Sequence, residues 1–255
     1  MTKIQTKPVQ SSDQRFPITH RQELIGGFNQ SKLSSSSGII IGAGGLGGEV
    51  GEGLCRKGIG CLRIFDHDVV DATNLNRQNF FPDDIGRNKA ECLVTNLAPH
   101  CHAGTKLEGF PLSFQDAIAT QTDLLGAFVV CAVDNGSTRV SVSEHYRHNR
   151  TPVIFLAVDL HAEAGHVFVQ ESAPNLACLG CAFPRTLNGS PAPCFVPSVK
   201  DILKVTAGFV LYAIDSLLMQ RQRNWNYRRV HLAGFAPDVI DTIPWNPDCP
   251  LCRPA

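Results

Sequence analysis

The chain has 255 residues, with 23 Lys and Arg balanced by 23 Asp and Glu, and 43% of it is hydrophobic. The neutral balance argues against a broad electrostatic footprint for nucleic acid or an anionic membrane. A chain of this size buries enough surface to fold without disulfide staples, as one large α/β domain or two small ones.

Residues 1–14 lack the apolar core of a signal peptide and read as a loose polar tail. Residues 15–255 read as a single domain. A short helical segment is expected over 21–28, a Ser-rich link over 34–37, and a buried strand over 39–41 that runs into a glycine turn. Residues 46–57 predict a helix and 62–65 a second apolar strand. The polar loop over 66–86 is longer than most strand-to-helix connections, and such length is often functional. A helix over 87–97 follows, ended by Pro99. Residues 127–133 are continuously apolar, as a strand covered on both faces requires. Next come a polar helix over 135–149, a buried strand over 153–158 and an alternating run over 166–170 that suggests an antiparallel return. The long helix over 199–221 is apolar nearly all round, and its core at 205–214 is too short for a membrane span. Strands alternating with helices predict a Rossmann-like, doubly wound, mainly parallel α/β sheet with an antiparallel extension.

Gly42, Gly44 and Gly47 fit G-x-G-x-x-G between a predicted strand and a predicted helix. Such glycines permit a tight turn and close approach of backbone amides to a phosphate, and the helix N-terminus favours anions. Asp66 ends the next strand, where it can accept bonds from a ribose hydroxyl. Up to this point a nicotinamide or flavin oxidoreductase fits as well as a nucleotide-cleaving enzyme. Arg77 and Lys89 separate the two, because splitting a triphosphate develops charge on the leaving pyrophosphate that fixed cations stabilise. The nine histidines are scattered.

Ten cysteines without a secretion signal point to a reducing cytoplasm, where paired cysteines hold metal more often than they form disulfides. Cys178-x-x-Cys181 and Cys249-x-x-Cys252 offer four thiolates for a tetrahedral structural zinc that would tie the C-terminal end back to the loop after 166–170.

The series GAGGLG at 42–47, DHD at 66–68, NLNRQ at 74–78, Lys89 and VDN at 133–135 resembles the ThiF/MoeB/HesA family. That family shares its adenylation fold with ubiquitin-activating enzymes. The resemblance implies that Gly42, Gly44, Gly45 and Gly47 cradle ATP and that Asp66 holds the ribose. It implies that Asn74, Arg77 and Lys89 contact phosphates, that Asp68 and Gln78 belong to the same nucleotide site, and that Asp134 holds magnesium. Arg21 matches an arginine that crosses a homodimer interface to the partner's ATP. The substrate implied is a small ubiquitin-fold or sulfur-carrier protein ending in Gly-Gly, converted to an acyl-adenylate. Cys194, in a Pro-rich loop, falls where several members accept the acyl group on a thiol, although Phe195 to Ser198 depart from the usual following sequence. Downstream partners would be a sulfur donor, expected as a separate protein since no rhodanese-type domain follows Ala255, or a conjugating enzyme. No nucleic acid or membrane partner is expected. The alternatives are a nicotinamide- or flavin-dependent oxidoreductase and a non-catalytic scaffold that keeps the fold and dimer contacts.

Overall fold

The computed structural model describes residues 1–7, 16–102, 104–173, 175–188 and 198–252. Among the described residues nine strands form one sheet: β1 (Thr2–Gln5), β2 (Ser37–Ile41), β3 (Cys61–Phe65), β4 (Lys106–Phe110), β5 (Phe128–Cys131), β6 (Val153–Val158), β7 (Ala164–Gln170), β8 (Tyr227–His231) and β9 (Val239–Asp241). The helices are α1 (His20–Glu23), α2 (Gln30–Ser34), α3 (Gly45–Lys57), α4 (Lys89–Leu97), α5 (Phe114–Ala119), α6 (Gly136–His148), α7 (Leu179–Ala182) and α8 (Lys200–Met219).

Across the sheet the order is β1-β4-β3-β2-β5-β6-β7-β8-β9. The run from β4 to β6 is parallel, whereas β1 at one side and β7 to β9 at the other are antiparallel additions. From β2 the chain moves outward through β3 to β4, then returns to place β5 on the other flank of β2. A crevice therefore opens beyond the carboxyl ends of β2 and β5, where open α/β sheets bind ligands.

Both faces of the parallel region are buried, which is why β2 reads as an unbroken aliphatic run. Ile40, Ile64, Val130 and Ile154 meet α3, α4 and α8 on one face. Ile39, Ile41, Val129 and Phe155 meet α5, α6 and α7 on the other. By length and composition α8 could cross a membrane. Here its buried residues, Ile202, Val210 and Ile214 among them, close the core over α3, β6 and β7.

The doubly wound architecture and the antiparallel return are as the sequence predicts, and several local expectations are corrected. Residues 2–5 are not a loose tail: they pair with β4 as an edge strand. The helix expected over 21–28 stops at Glu23, and a second short helix, capped by Asn29, occupies part of the expected Ser-rich link. β4 and α5 were hidden between Pro99 and residue 127, because Glu108 and Gly109 interrupt the apolar signature of β4. Glu108 is buried there only because Lys3, Arg63 and Lys106 reach its carboxylate at 3.1–3.2 Å.

Candidate functional site

A cavity of about 300 Å³ occupies the crevice. Its floor is the turn between β2 and α3, with Gly42, Gly44, Gly45 and Leu46 in its lining. Gly42 has φ +100°, a left-handed conformation that glycine adopts without strain. A Cβ on Gly47 would collide with the Gly42 carbonyl oxygen, so that glycine serves the packing of helix against turn and does not itself line the cavity. A Cβ on Gly44 would meet no atom of a described residue within 4 Å. That space belongs to whatever lies against the turn. The first turn of α3 adds backbone N–H groups with no intrahelical acceptor.

Asp66, at the end of β3, braces this floor. One carboxylate oxygen accepts from the Ala43 N–H at 2.7 Å and the other from the Asp68 N–H at 2.9 Å. Burial pushes its carboxyl above the usual Asp value, against the two backbone bonds and the Lys89 charge, which pull it down. Lys89 opens α4, is mostly buried, and sits 2.9 Å from the Asp68 carboxylate. Asn88, which no motif flagged, fixes this corner: its amide donates to the carbonyls of Asp66 and Asp68, and its Oδ1 caps α4.

The long 66–86 loop is an ordered scaffold. Asn74 is buried, and its Oδ1 accepts from the Asp71 N–H at 3.1 Å. It does not line the cavity. Instead its carbonyl receives the N–H groups of Arg77 and Gln78, which do line the cavity. The Arg77 guanidinium is anchored to the Thr73 carbonyl at 2.7 Å and to Asn76 at 2.9 Å. Gln78 Oε1 is buried without a hydrogen-bond partner among the described residues, and so is Oγ of Ser198, a second lining residue that sequence reading passed over.

Asp134 follows β5 on the opposite wall, and its carboxylate makes no hydrogen bond or ion pair with another described residue. Asn135 beside it caps α6 by accepting from the Thr138 N–H. Behind them lies Arg139, partly buried and donating to the carbonyls of Val133 and Leu156 at 2.8 Å each. Burial lowers its pKa, yet it remains a fixed cation close to Asp134. The G-x-G-x-x-G turn, Asp66, Asp68, Arg77, Gln78, Lys89 and Asp134 thus converge from four separate segments.

Residues 19–249 match the ThiF family. The chain belongs to the ThiF family. Among relatives of this ThiF protein, the SAMP-activating enzyme E1 of Haloferax volcanii is 28% identical over 235 residues, covering 89% of this chain and 84% of its own. Ubiquitin-like modifier-activating enzyme 5 of Drosophila melanogaster is also 28% identical, with 92% of this chain aligned to 62% of that protein. This chain therefore spans less than two thirds of that longer relative. The E. coli MccB structure with ATP superposes with a TM-score of 0.73 at 19% identity, over 88% of this chain and 68% of MccB, which establishes the shared fold.

Arg21 is exposed on α1 and does not line the cavity. Gln22 beside it donates to the Lys57 carbonyl at the C-terminal end of α3. The glycine turn is at the other end of that helix, about 20 Å away at 1.5 Å per residue. Cys194 lies outside the described residues.

The four cysteines do come together. Cys178 Sγ lies 3.8 Å from Cys181, 3.6 Å from Cys249 and 3.3 Å from Cys252, and Cys181 lies 3.4 Å from Cys252. Four thiolates about 2.3 Å from a tetrahedral zinc would be spaced about 3.8 Å apart, so the cluster could hold that ion after small outward shifts.

Proposed function

We propose that this ThiF-family chain, an enzyme of the adenylyltransferase class, activates the C-terminal glycine carboxylate of a small ubiquitin-fold or sulfur-carrier protein ending in Gly-Gly, using ATP. The observation that carries this reading is the cavity at the β2–β5 crevice, where the glycine turn, Arg77, Lys89 and the Asp134 carboxylate face one space.

The vacant Cβ position of Gly44 and the orphaned Gln78 and Ser198 oxygens fit a polyphosphate nucleotide better than an apolar ligand. Asp66 would take the ribose hydroxyls. Asp134 would hold magnesium, which takes one or two carboxylates beside phosphate oxygens and water, and the ion would neutralise triphosphate charge. The carrier carboxylate, already anionic at neutral pH, attacks the α-phosphorus. The α–β phosphoanhydride bond breaks, and pyrophosphate leaves with the electron pair. Arg77, anchored within the 66–86 loop, and Lys89, at the start of α4, stabilise the growing negative charge from fixed positions.

The Cys178, Cys181, Cys249 and Cys252 cluster is assigned as a structural zinc site. Arg21 cannot serve its own chain's cavity from α1, and Phe16, Ile18, Leu24 and Ile25 around it are exposed apolar residues. Both features support a homodimer in which Arg21 reaches the partner's nucleotide. Cys194 is a candidate acyl acceptor after adenylation, for sulfur transfer or for conjugation. A cytoplasmic location accords with the thiol-rich composition.

The test is label transfer. With ATP labelled on the α-phosphate, the quenched mixture should contain the carrier bearing AMP on its C-terminus. A carrier lacking its last glycine should acquire no label, and equal labelling of both would refute the assignment.

A further inference from the structure

Lys200 is the first residue of α8, and no motif pointed to it. Its ammonium forms an ion pair with Glu49, a buried residue in α3. The same ammonium donates to Asn79 Oδ1 and, at 3.4 Å, to the main-chain carbonyl of Arg77. Asn79 is itself fixed. A Cβ at Gly48 of α3 would sit 3.4 Å from its amide nitrogen, and its carbonyl accepts from Asn96 of α4 at 3.1 Å. One cation therefore joins α3, α8 and the loop that presents Arg77. Two residues before it, Ser198 lines the cavity with its buried, unpartnered hydroxyl.

The geometry points to Lys200 as a positioning residue for Arg77. It does not line the cavity, and it acts through the Arg77 carbonyl. The guanidinium is tethered to Thr73 and Asn76 on one side, so the backbone of Arg77 is the remaining freedom that sets where its charge falls. Glu49 keeps the ammonium in place. Small displacements of a charge-stabilising group are costly in rate, up to about 100-fold for roughly 1 Å. This inference rests on the adenylation reading for its kinetic consequence, and on the contacts alone for its structural one.

The experiment combines a double-mutant cycle with hydrogen exchange. Lys200→Met is made in the parent and in Arg77→Ala, and kcat/KM for ATP is read from carrier-dependent pyrophosphate exchange. Because Lys200→Met strands a buried carboxylate, Glu49→Gln/Lys200→Met is measured beside it. The expected result is a fall of about tenfold in the parent, less than twofold in Arg77→Ala, and retention within about threefold in Lys200→Arg. Backbone hydrogen exchange over residues 73–80 should rise in both Lys200→Met variants. Equal fold losses in the two backgrounds, or unchanged exchange over 73–80, would overturn the proposal. If the parent shows no pyrophosphate exchange with any carrier, the adenylation reading fails, and the hydrogen-exchange result alone decides the role of Lys200.

Discussion

Two alanine substitutions a few residues apart in the glycine turn should fail in opposite ways. In Gly47→Ala the new methyl group meets the Gly42 carbonyl oxygen and carbon, with the Ile40 side chain 3.1 Å away. Backbone offers no rotamer to escape into, so the turn itself must shift. Overpacking of this kind costs about 1–3 kcal/mol, or roughly 2–10 °C in Tm for a chain of this size. In Gly44→Ala the methyl is added to a residue that lines the cavity and touches no atom of a described residue within 4 Å. Its backbone is extended, at φ −73° and ψ −160°, so the cost is limited to the weaker N-cap, less than about 1 kcal/mol. A phosphate lying on the turn would be displaced, losing charge-assisted hydrogen bonds worth about 1.5–3 kcal/mol, or roughly 10–100-fold in affinity. Differential scanning fluorimetry and ATP titration calorimetry read the two effects separately. Undiminished ATP affinity in a folded Gly44→Ala would show that the turn does not face the nucleotide.

Cys249→Ser should lower bound zinc from one per chain and cut stability by about 4 kcal/mol, since the cluster closes a span of 71 residues between Cys178 and Cys249. Metal analysis and denaturant melts check this, and a fully stable, zinc-free parent would contradict it. Burial alone would raise the Glu108 carboxyl, but Lys3, Lys106 and Arg63 together hold it below the ordinary Glu value. A lowered folded pKa stabilises the protein above the unfolded value, near pH 4.3, and that stability is lost as pH falls through the folded value. Glu108→Gln should therefore be less stable than the parent by about 1–2 kcal/mol at pH 7, with the gap closing below about pH 4. A pH-independent gap in urea melts would count against the pairing. Asp134→Asn should raise the magnesium concentration needed for half-maximal activity by at least about tenfold. An unchanged magnesium dependence would remove Asp134 from that role.

The parallel core was legible because strands buried on both faces leave continuous aliphatic runs, as at Ile39 to Ile41 and Phe128 to Cys131. The glycine turn was legible for a similar reason: few residues tolerate its backbone. β4 was not, since its buried Glu108 is neutralised by Lys3 from residues read as a tail and by Arg63 from β3. Such compensation is a tertiary fact with no local periodicity. Within the site, the motifs and the family resemblance together picked out Asp66, Arg77, Lys89 and Asp134, which line one cavity. It could not separate Gln78, which faces the cavity, from Asn74, which lies four positions earlier and turns into the loop. Asn88, Arg139 and Lys200 act by bonding to main-chain carbonyls of distant segments, and those carbonyls carry no side-chain signature.

The central claim is that fixed cations at the β2–β5 crevice support attack of a protein C-terminus on ATP. Carrier-dependent exchange of labelled pyrophosphate into ATP, in the parent and in Arg77→Ala, tests it most directly. The account predicts exchange that requires a carrier with an intact terminal glycine and falls at least about 100-fold in Arg77→Ala. Exchange of equal rate in the two proteins, or ATP binding with no exchange for any Gly-Gly carrier, would contradict it.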